Sequence, residues 1–339
     1  LEKKLVEMND CMPHYYRITN GHGQGAERIM NAEAEFLQGR FVDAQICLEN
    51  TYVHIAENGQ ENMVLCCDFL ALRLALCTEL SLSYTIAERR KELLRRHNIT
   101  WVTLFDSACA YYYALSGQIT QIPVLFREHQ LSTVNFLAPG KPMMELIENQ
   151  VYLAQQEYAK VIGRSEELLA VCEAMHYALV ALHVQIQTAA AYECLGKRTE
   201  ARSCLKRALQ IALPDQFYLP FVENYEYLEE LLQREIQTAD AAEHVFLTKV
   251  TELGKNCQKR YGALRKKHMF PKIAAELTEQ EQRIIELLAE RLSNREIAEK
   301  LFLSEGTIKQ YINRIYAKLQ ISGDVRTKRR QLIELLTAE

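Results

Sequence analysis

The chain of 339 residues contains no run of about twenty apolar residues, so no membrane-spanning helix is expected, and no secretory signal pattern is read in it. Proline is scarce, with seven in the whole chain, and alternating runs of β-branched residues are few, which argues against a sheet. Ten cysteines are present without the spacing of a disulfide framework. Cys66 and Cys67 are adjacent, and there is no C-x-x-C or His/Cys ligand cluster. Reduced, mostly buried thiols of a cytoplasmic protein are the expectation. Catalytic signatures are missing too: no H-E-x-x-H, no G-x-S-x-G and no phosphate-binding G-x-x-x-x-G-K-[ST]. Gly21-His22-Gly23-Gln24-Gly25 lacks both a preceding strand and a Gly-Lys-Ser/Thr ending, so it reads as a turn between helices. His176 and His183 are read as seven apart on one helix face with no third ligand in register, hence as ordinary histidines. The expectation is a protein that is no enzyme and holds no metal or other cofactor.

What the chain does have is apolar content and helical periodicity. At 48% hydrophobic residues it can bury a sizeable core, and its length suggests two or three units. The formal charge of −4 conceals an asymmetry. Lys255 to Lys272 holds seven Lys/Arg and no acid, and Ser304 to Arg330 holds seven against Glu305 and Asp324. Positive charge gathered at one end of an otherwise acidic chain is the footprint of a polyanion partner. The chain begins with Leu1 rather than Met, which reads as a fragment of a longer protein.

Up to about residue 240 the pattern is helical and repetitive. AEAEFLQGRFVDAQICLENTY aligns with TAAAYECLGKRTEARSCLKRAL so that Gly39 matches Gly196, Ala32 matches Ala189, Ala44 matches Ala201 and Leu48 matches Leu205. The same ruler fits more loosely around Gly117 (Ala110, Ile122, Phe126) and Gly163 (Leu168, Cys172). Centred on Glu79 it rests on spacing alone, with Leu72, Tyr84 and Glu88. Small residues let two antiparallel helices approach, glycine permits the turn, and each hairpin leaves an apolar face for the next to cover. Ala138-Pro139-Gly140-Lys141-Pro142 reads as a turn or inter-hairpin loop. Tyr111-Tyr112-Tyr113 and Trp101 read as packing between hairpins, with a ligand groove as the other reading. Ala239 to Lys267 reads as one long helix, ended by His268-Met269-Phe270-Pro271.

The most informative stretch runs from Leu277 to Leu336. Thr278 with Glu281, and Ser293 with Glu296, form S/T-x-x-E capping boxes, and Ser304 is a third N-cap. On the helix predicted from about Glu305 to Gln320, Ile308, Ile312, Ile315 and Leu319 form an apolar stripe. Lys309, Gln310, Asn313, Arg314 and Lys318 lie away from it. Cations beside amides suit phosphates and base edges in a major groove, which makes this a helix-turn-helix with the Ser304 helix as reader.

The pattern LT-x-x-E…LLA-x-x-LSN-x-EIA-x-x-L-x-x-S-x-x-T-[IV]-K…IY-x-KL resembles the DNA-binding domain of LuxR-type transcriptional regulators. The resemblance covers about a fifth of the chain. Tyr311 departs from it, since the family commonly has His there, and the segment after Leu319 carries extra basic residues. The resemblance implies base or phosphate contact by Lys309, base contact by Gln310 and Asn313, and phosphate contact by Arg314, Lys318, Ser304 and Thr307. Asn294 and Arg295 would touch the opposite backbone. It also implies a fourth helix that dimerises, a role falling here on Leu332, Ile333, Leu335 and Leu336. The repeats resemble degenerate tetratricopeptide repeats. The stretch ARSCLKRALQIALPDQFYLPFVENYEYLEELL is similar to the corresponding region of MalT-type regulators, which carry an N-terminal ATPase and a helical-repeat sensor.

These readings give an all-α fold: a tetratricopeptide-like solenoid over 1–238, a helical connector over 239–272, and a four-helix LuxR-type domain over 273–339. The expected function is a cytoplasmic, bacterial, sequence-specific transcription regulator, an activator by resemblance. Its expected partners are promoter DNA, a second copy on that DNA, RNA polymerase, and a small-molecule, peptide or protein effector on the repeats; no membrane is expected. A sigma-factor-like subunit is disfavoured because repeats stand where polymerase-binding domains would. A repeat scaffold with an incidental basic tail is the alternative from another class, and by the MalT-type resemblance an enzyme activity would belong only to an ATPase in a missing N-terminal part.

Overall fold

The structure is a computed structural model. It describes the backbone of residues 1–58, 60–80, 82, 84–136, 138–289, 292–319, 321, 327–329 and 332, and their side chains except at 58, 61, 138, 266–276 and 289. These residues form helices, turns and loops with no strand. No helix among them is long and apolar enough to cross a membrane. The chain divides into two compact units, Leu1–Gln258 and Lys259–Glu339.

In the first unit α1 (Glu2–Ile18) is followed by α2 (Ala26–Leu37), α3 (Phe41–Asn58), α4 (Glu61–Cys77), α5 (Ile86–Arg95), α6 (Ile99–Leu115) and the short α7 (Val124–Arg127). Then come α8 (Lys141–Ala154), α9 (Tyr158–Ala174), α10 (Ala178–Cys194), α11 (Arg198–Ala212), the five-residue α12 (Leu219–Glu223) and α13 (Tyr225–Ile236). The helices pair as hairpins, and α4, α6, α8 and α10 pack in succession along an inner row. Gly39, Gly117 and Gly196 sit in the left-handed region with φ of 73°, 69° and 72°, where a Cβ would be strained. Measured from each, the residues seven before and five and nine after are fully buried: Ala32, Ala44 and Leu48; Ala110, Ile122 and Phe126; Ala189, Ala201 and Leu205.

Three features differ from the sequence expectation. Gly163 lies inside α9, and the turn between α8 and α9 is made at Gln156, with φ of 63°. From Gln156 the same ruler lands on Asn149, Val161 and Ser165, all buried. A glutamine in the left-handed region leaves no glycine to mark the turn. His176 and His183 do not share a helix, because His176 forms the α9–α10 turn with φ of 57° and only His183 lies on α10. Finally α14 (Ala241–Glu276) continues through Pro271 instead of ending before it. Proline removes one hydrogen bond but holds φ at a helical value, so a run of good helix formers can carry on past it.

The hairpin stack also meets its own beginning, which the repeats alone did not imply. Helix α12 packs on α2, the Tyr218 N–H donates to the Leu37 carbonyl at 2.9 Å, and the Gln38 amide donates to the Asp215 carbonyl at 2.8 Å. Arg73 of α4 donates from Nε to Glu223 of α12 at 2.7 Å, and Tyr111 of α6 donates to the other Glu223 oxygen at 2.9 Å. The start of α14 closes against this unit through Phe246, Leu247, Val250 and Cys257, all buried. Its approach requires Gly254, since a Cβ there would stand 2.4 Å from the Tyr225 ring. Gly254→Val is therefore expected to destabilise the unit by about 1–3 kcal/mol through overpacking, despite the better helix propensity. Thermal unfolding measures this, and a variant as stable as the parent would refute the close approach.

Candidate nucleic-acid interface

The second unit builds its site on three helices: α15 (Glu279–Ala289), α16 (Asn294–Leu301) and α17 (Glu305–Lys318). Each begins at the cap read in the sequence. The Thr278 N–H donates to Glu281 Oε2 at 2.8 Å while the Glu281 N–H donates back to the Thr278 hydroxyl at 3.4 Å. The Ser293 N–H donates to Glu296 Oε2 at 2.7 Å, answered by the Glu296 N–H at 3.3 Å. For α17 the Thr307 N–H donates to Ser304 Oγ at 3.0 Å, and the two hydroxyls are 2.8 Å apart. Between α16 and α17 the chain turns on Phe302, left-handed at φ 53° and 95% exposed.

The apolar stripe faces inward. Ile308, Ile312 and Ile315 are buried with Leu277, Ile284, Ile285, Leu288 and Ile297 in one core, and Leu319 packs on its edge. Tyr311 is also packed against this core, with the Arg314 guanidinium 5.7 Å from its ring centre. The departure at that position therefore acts through packing. Fixing the stripe inward forces Lys309, Gln310, Asn313 and Arg314 onto one exposed strip. The Gln310 and Asn313 amides make no hydrogen bond among the described residues. Among the described residues Lys309 has only a surface partner, Glu305 at 3.2 Å, and Arg295 likewise pairs with Glu299 at 3.1 Å. Such exposed i,i+4 pairs stabilise little and exchange readily for a phosphate.

Other sequence-derived positions are more engaged. The Lys318 ammonium donates to Glu281 Oε2 at 2.7 Å, joining the end of α17 to the cap of α15. Burial works against ionisation of Glu281, but the Lys318 ammonium and the Thr278 N–H and hydroxyl together hold its carboxyl below the ordinary glutamate range. A carboxyl with a lowered folded pKa stabilises above its unfolded value, and that contribution is lost as pH falls through the folded one. The domain should thus lose stability on acidification below the carboxylate range, and Glu281→Gln should flatten that part of the profile in pH-dependent unfolding.

Asn294 is half-buried at the start of α16. Its Oδ1 accepts from Arg329 Nη1 at 2.6 Å, while Arg329 Nη2 donates to the Leu292 carbonyl at 2.6 Å. Arg329 thereby clamps the segment after α17 onto the start of the supporting helix. In the sequence Arg329 shows only as extra charge, because nothing local reveals a contact across 35 residues. Arg329→Met should cost about 1.5 kcal/mol for the lost charge-assisted bonds, read from unfolding of this domain; no change would show the clamp to be idle. Leu332 is fully buried in the domain's own core, and Ile333, Leu335 and Leu336 lie outside the described residues.

Three capped helices on one core, the last presenting a polar and cationic strip beside a short turn, define a helix-turn-helix DNA-binding module. Residues 275–329 match the family described as "Bacterial regulatory proteins, luxR family", and this C-terminal segment is a LuxR-type helix-turn-helix domain. The chain is 49% identical over 43 residues to the DNA-binding transcriptional activator DevR/DosR of Mycobacterium tuberculosis. That match spans 13% of this chain and 20% of the relative, so the chain covers about a fifth of its length. No solved structure matches the chain.

Proposed function

We propose that the chain is a bacterial transcription regulator whose α17 lies in the major groove of promoter DNA. Lys309, Gln310 and Asn313 read base edges, while Arg314, Arg295 and the Ser304 end of α17 hold phosphates. The single observation that carries this reading is the exposed strip of Lys309, Gln310, Asn313 and Arg314, whose amides make no hydrogen bond among the described residues and whose Lys309 pairs with exposed Glu305. In this reading two copies bind two half-sites, RNA polymerase is the downstream partner, and the protein works in the cytoplasm as an activator. The hairpin unit receives a signal, as its size and separate core allow. No residue is assigned a catalytic role.

Selection by the full chain from a pool of randomised DNA duplexes tests the proposal. The expected result is a shared motif among the enriched duplexes, repeated at a spacing of about one helical turn. Affinity for it should fall steeply with salt as counterions are released. Failure to enrich any motif, with equal weak binding to every duplex, would overturn it.

A further inference from the structure

The inner helices of the first unit line a half-open cavity that the DNA-binding reading does not use. It has a volume of about 340 Å³ and lies between α2, α4, α6, α8 and α10. A space of this size is at the lower end of what small-molecule sites occupy. Phe69, Ile147 and Val180 form apolar walls with Met144, whose thioether chain adapts to irregular shapes. At its rim stand Met30, Leu104 and Leu179, three of the large apolar side chains that the fold leaves exposed.

Against these walls stand a few polar groups, two of them incompletely partnered. Arg73 is 4% exposed, its guanidinium lying over the Phe36 and Phe69 rings; its Nε is taken by Glu223 and its Nη1 by Glu33, but Nη2 is buried with no hydrogen-bond partner among the described residues. His183 is buried as well, and its Nδ1 has no partner. Burial first, and then the Arg73 charge, push the imidazole down to about 3, so it stands neutral with one donor and one acceptor nitrogen. A buried donor left unmatched costs about 1–3 kcal/mol, so a ligand that matches it gains on entry.

The charge balance narrows the class of ligand. Glu33 and Glu223 already outnumber Arg73, so an anion would enter a surplus of negative charge. An ammonium group offers no acceptor to Arg73 Nη2. We propose that this cavity binds a neutral, mainly apolar small molecule whose carbonyl-type oxygen lies at the end bordered by Arg73 and His183. The inference deepens the sensory reading above and rests on it for the ligand's role as signal, though not for binding itself.

The probe for the test is Prodan, a neutral naphthalene with a ketone oxygen whose emission shifts to the blue when it leaves water. Added to the full chain without DNA, it should bind saturably, one per chain, with blue-shifted emission. Val180→Trp fills the cavity and should abolish that uptake. Leu104→Trp obstructs the rim from a partly exposed position that folding tolerates, and should weaken it strongly. His183→Leu should weaken it about tenfold, equivalent to about 1.4 kcal/mol. Far-ultraviolet circular dichroism establishes that each variant is folded. Non-saturable partitioning, or saturable binding unchanged in both tryptophan variants, would overturn the site. Binding to the selected duplex is measured alongside: a chain that binds DNA but takes up no Prodan loses the cavity and keeps the DNA reading, and the reverse result keeps the cavity and removes the DNA reading.

Discussion

Lys309→Ala combined with Asn313→Ala is expected to weaken binding to the selected duplex by about 2–6 kcal/mol, since each base-reading contact contributes about 1–3 kcal/mol. The loss should also relax sequence preference, because these two side chains are placed to face bases. Folding should be nearly untouched: both residues are exposed, and Lys309 gives up only its surface pair with Glu305. Arg314→Ala differs in kind. Its expected effect is uniform weakening across sequences, with the salt slope reduced by about one. Fluorescence anisotropy with labelled duplexes at several salt concentrations separates the two patterns. Wild-type affinity in the double variant would remove α17 as the reading helix.

Glu223→Ala is expected to destabilise the first unit by about 3–5 kcal/mol, because it strands a buried positive charge. Glu223 accepts from Arg73 Nε and from the Tyr111 hydroxyl, and its side chain is essentially inaccessible. Arg73 would keep Glu33, but its Nε would join the already unmatched Nη2, and Tyr111 would lose its acceptor. The effect is structural as well as electrostatic. Helix α12 has five residues, too few to persist alone, and Glu223 ties it to α4 and α6. Glu223→Gln should cost less, since an amide oxygen still accepts one bond. Urea unfolding of both variants measures this; parity of Glu223→Ala with the parent would mean the network contributes nothing to holding the last layer on the first.

The helix-turn-helix was legible almost residue by residue because its signals are local. A capping box spans four positions, an amphipathic stripe repeats within one helix, and burying Ile308, Ile312 and Ile315 leaves only one strip for Lys309, Gln310, Asn313 and Arg314. Lys318 escaped that logic: it lies off the stripe yet pairs with Glu281, a partner on another helix that no periodicity could name. Arg329 and its clamp on Asn294 were hidden for the same reason. In the first unit, hairpins turning on Gly39, Gly117 and Gly196 were readable from the spacing of small residues. Those turning on Gln156 and His176 were not, since a non-glycine in the left-handed region carries no compositional mark.

By itself, then, the order of residues determined the helical class, the capped starts of α16 and α17, and the side of α17 turned to solvent, because each follows from interactions within about one or two turns of chain. Only the tertiary structure decided that α12 returns to α2, that Arg73, Tyr111 and Glu223 meet although 150 residues separate the first from the last, and that a cavity lies among the inner helices. Those features depend on how successive hairpins rotate as they stack. That rotation is a sum of many packing contacts, each too weak and too distant in sequence to leave a local trace.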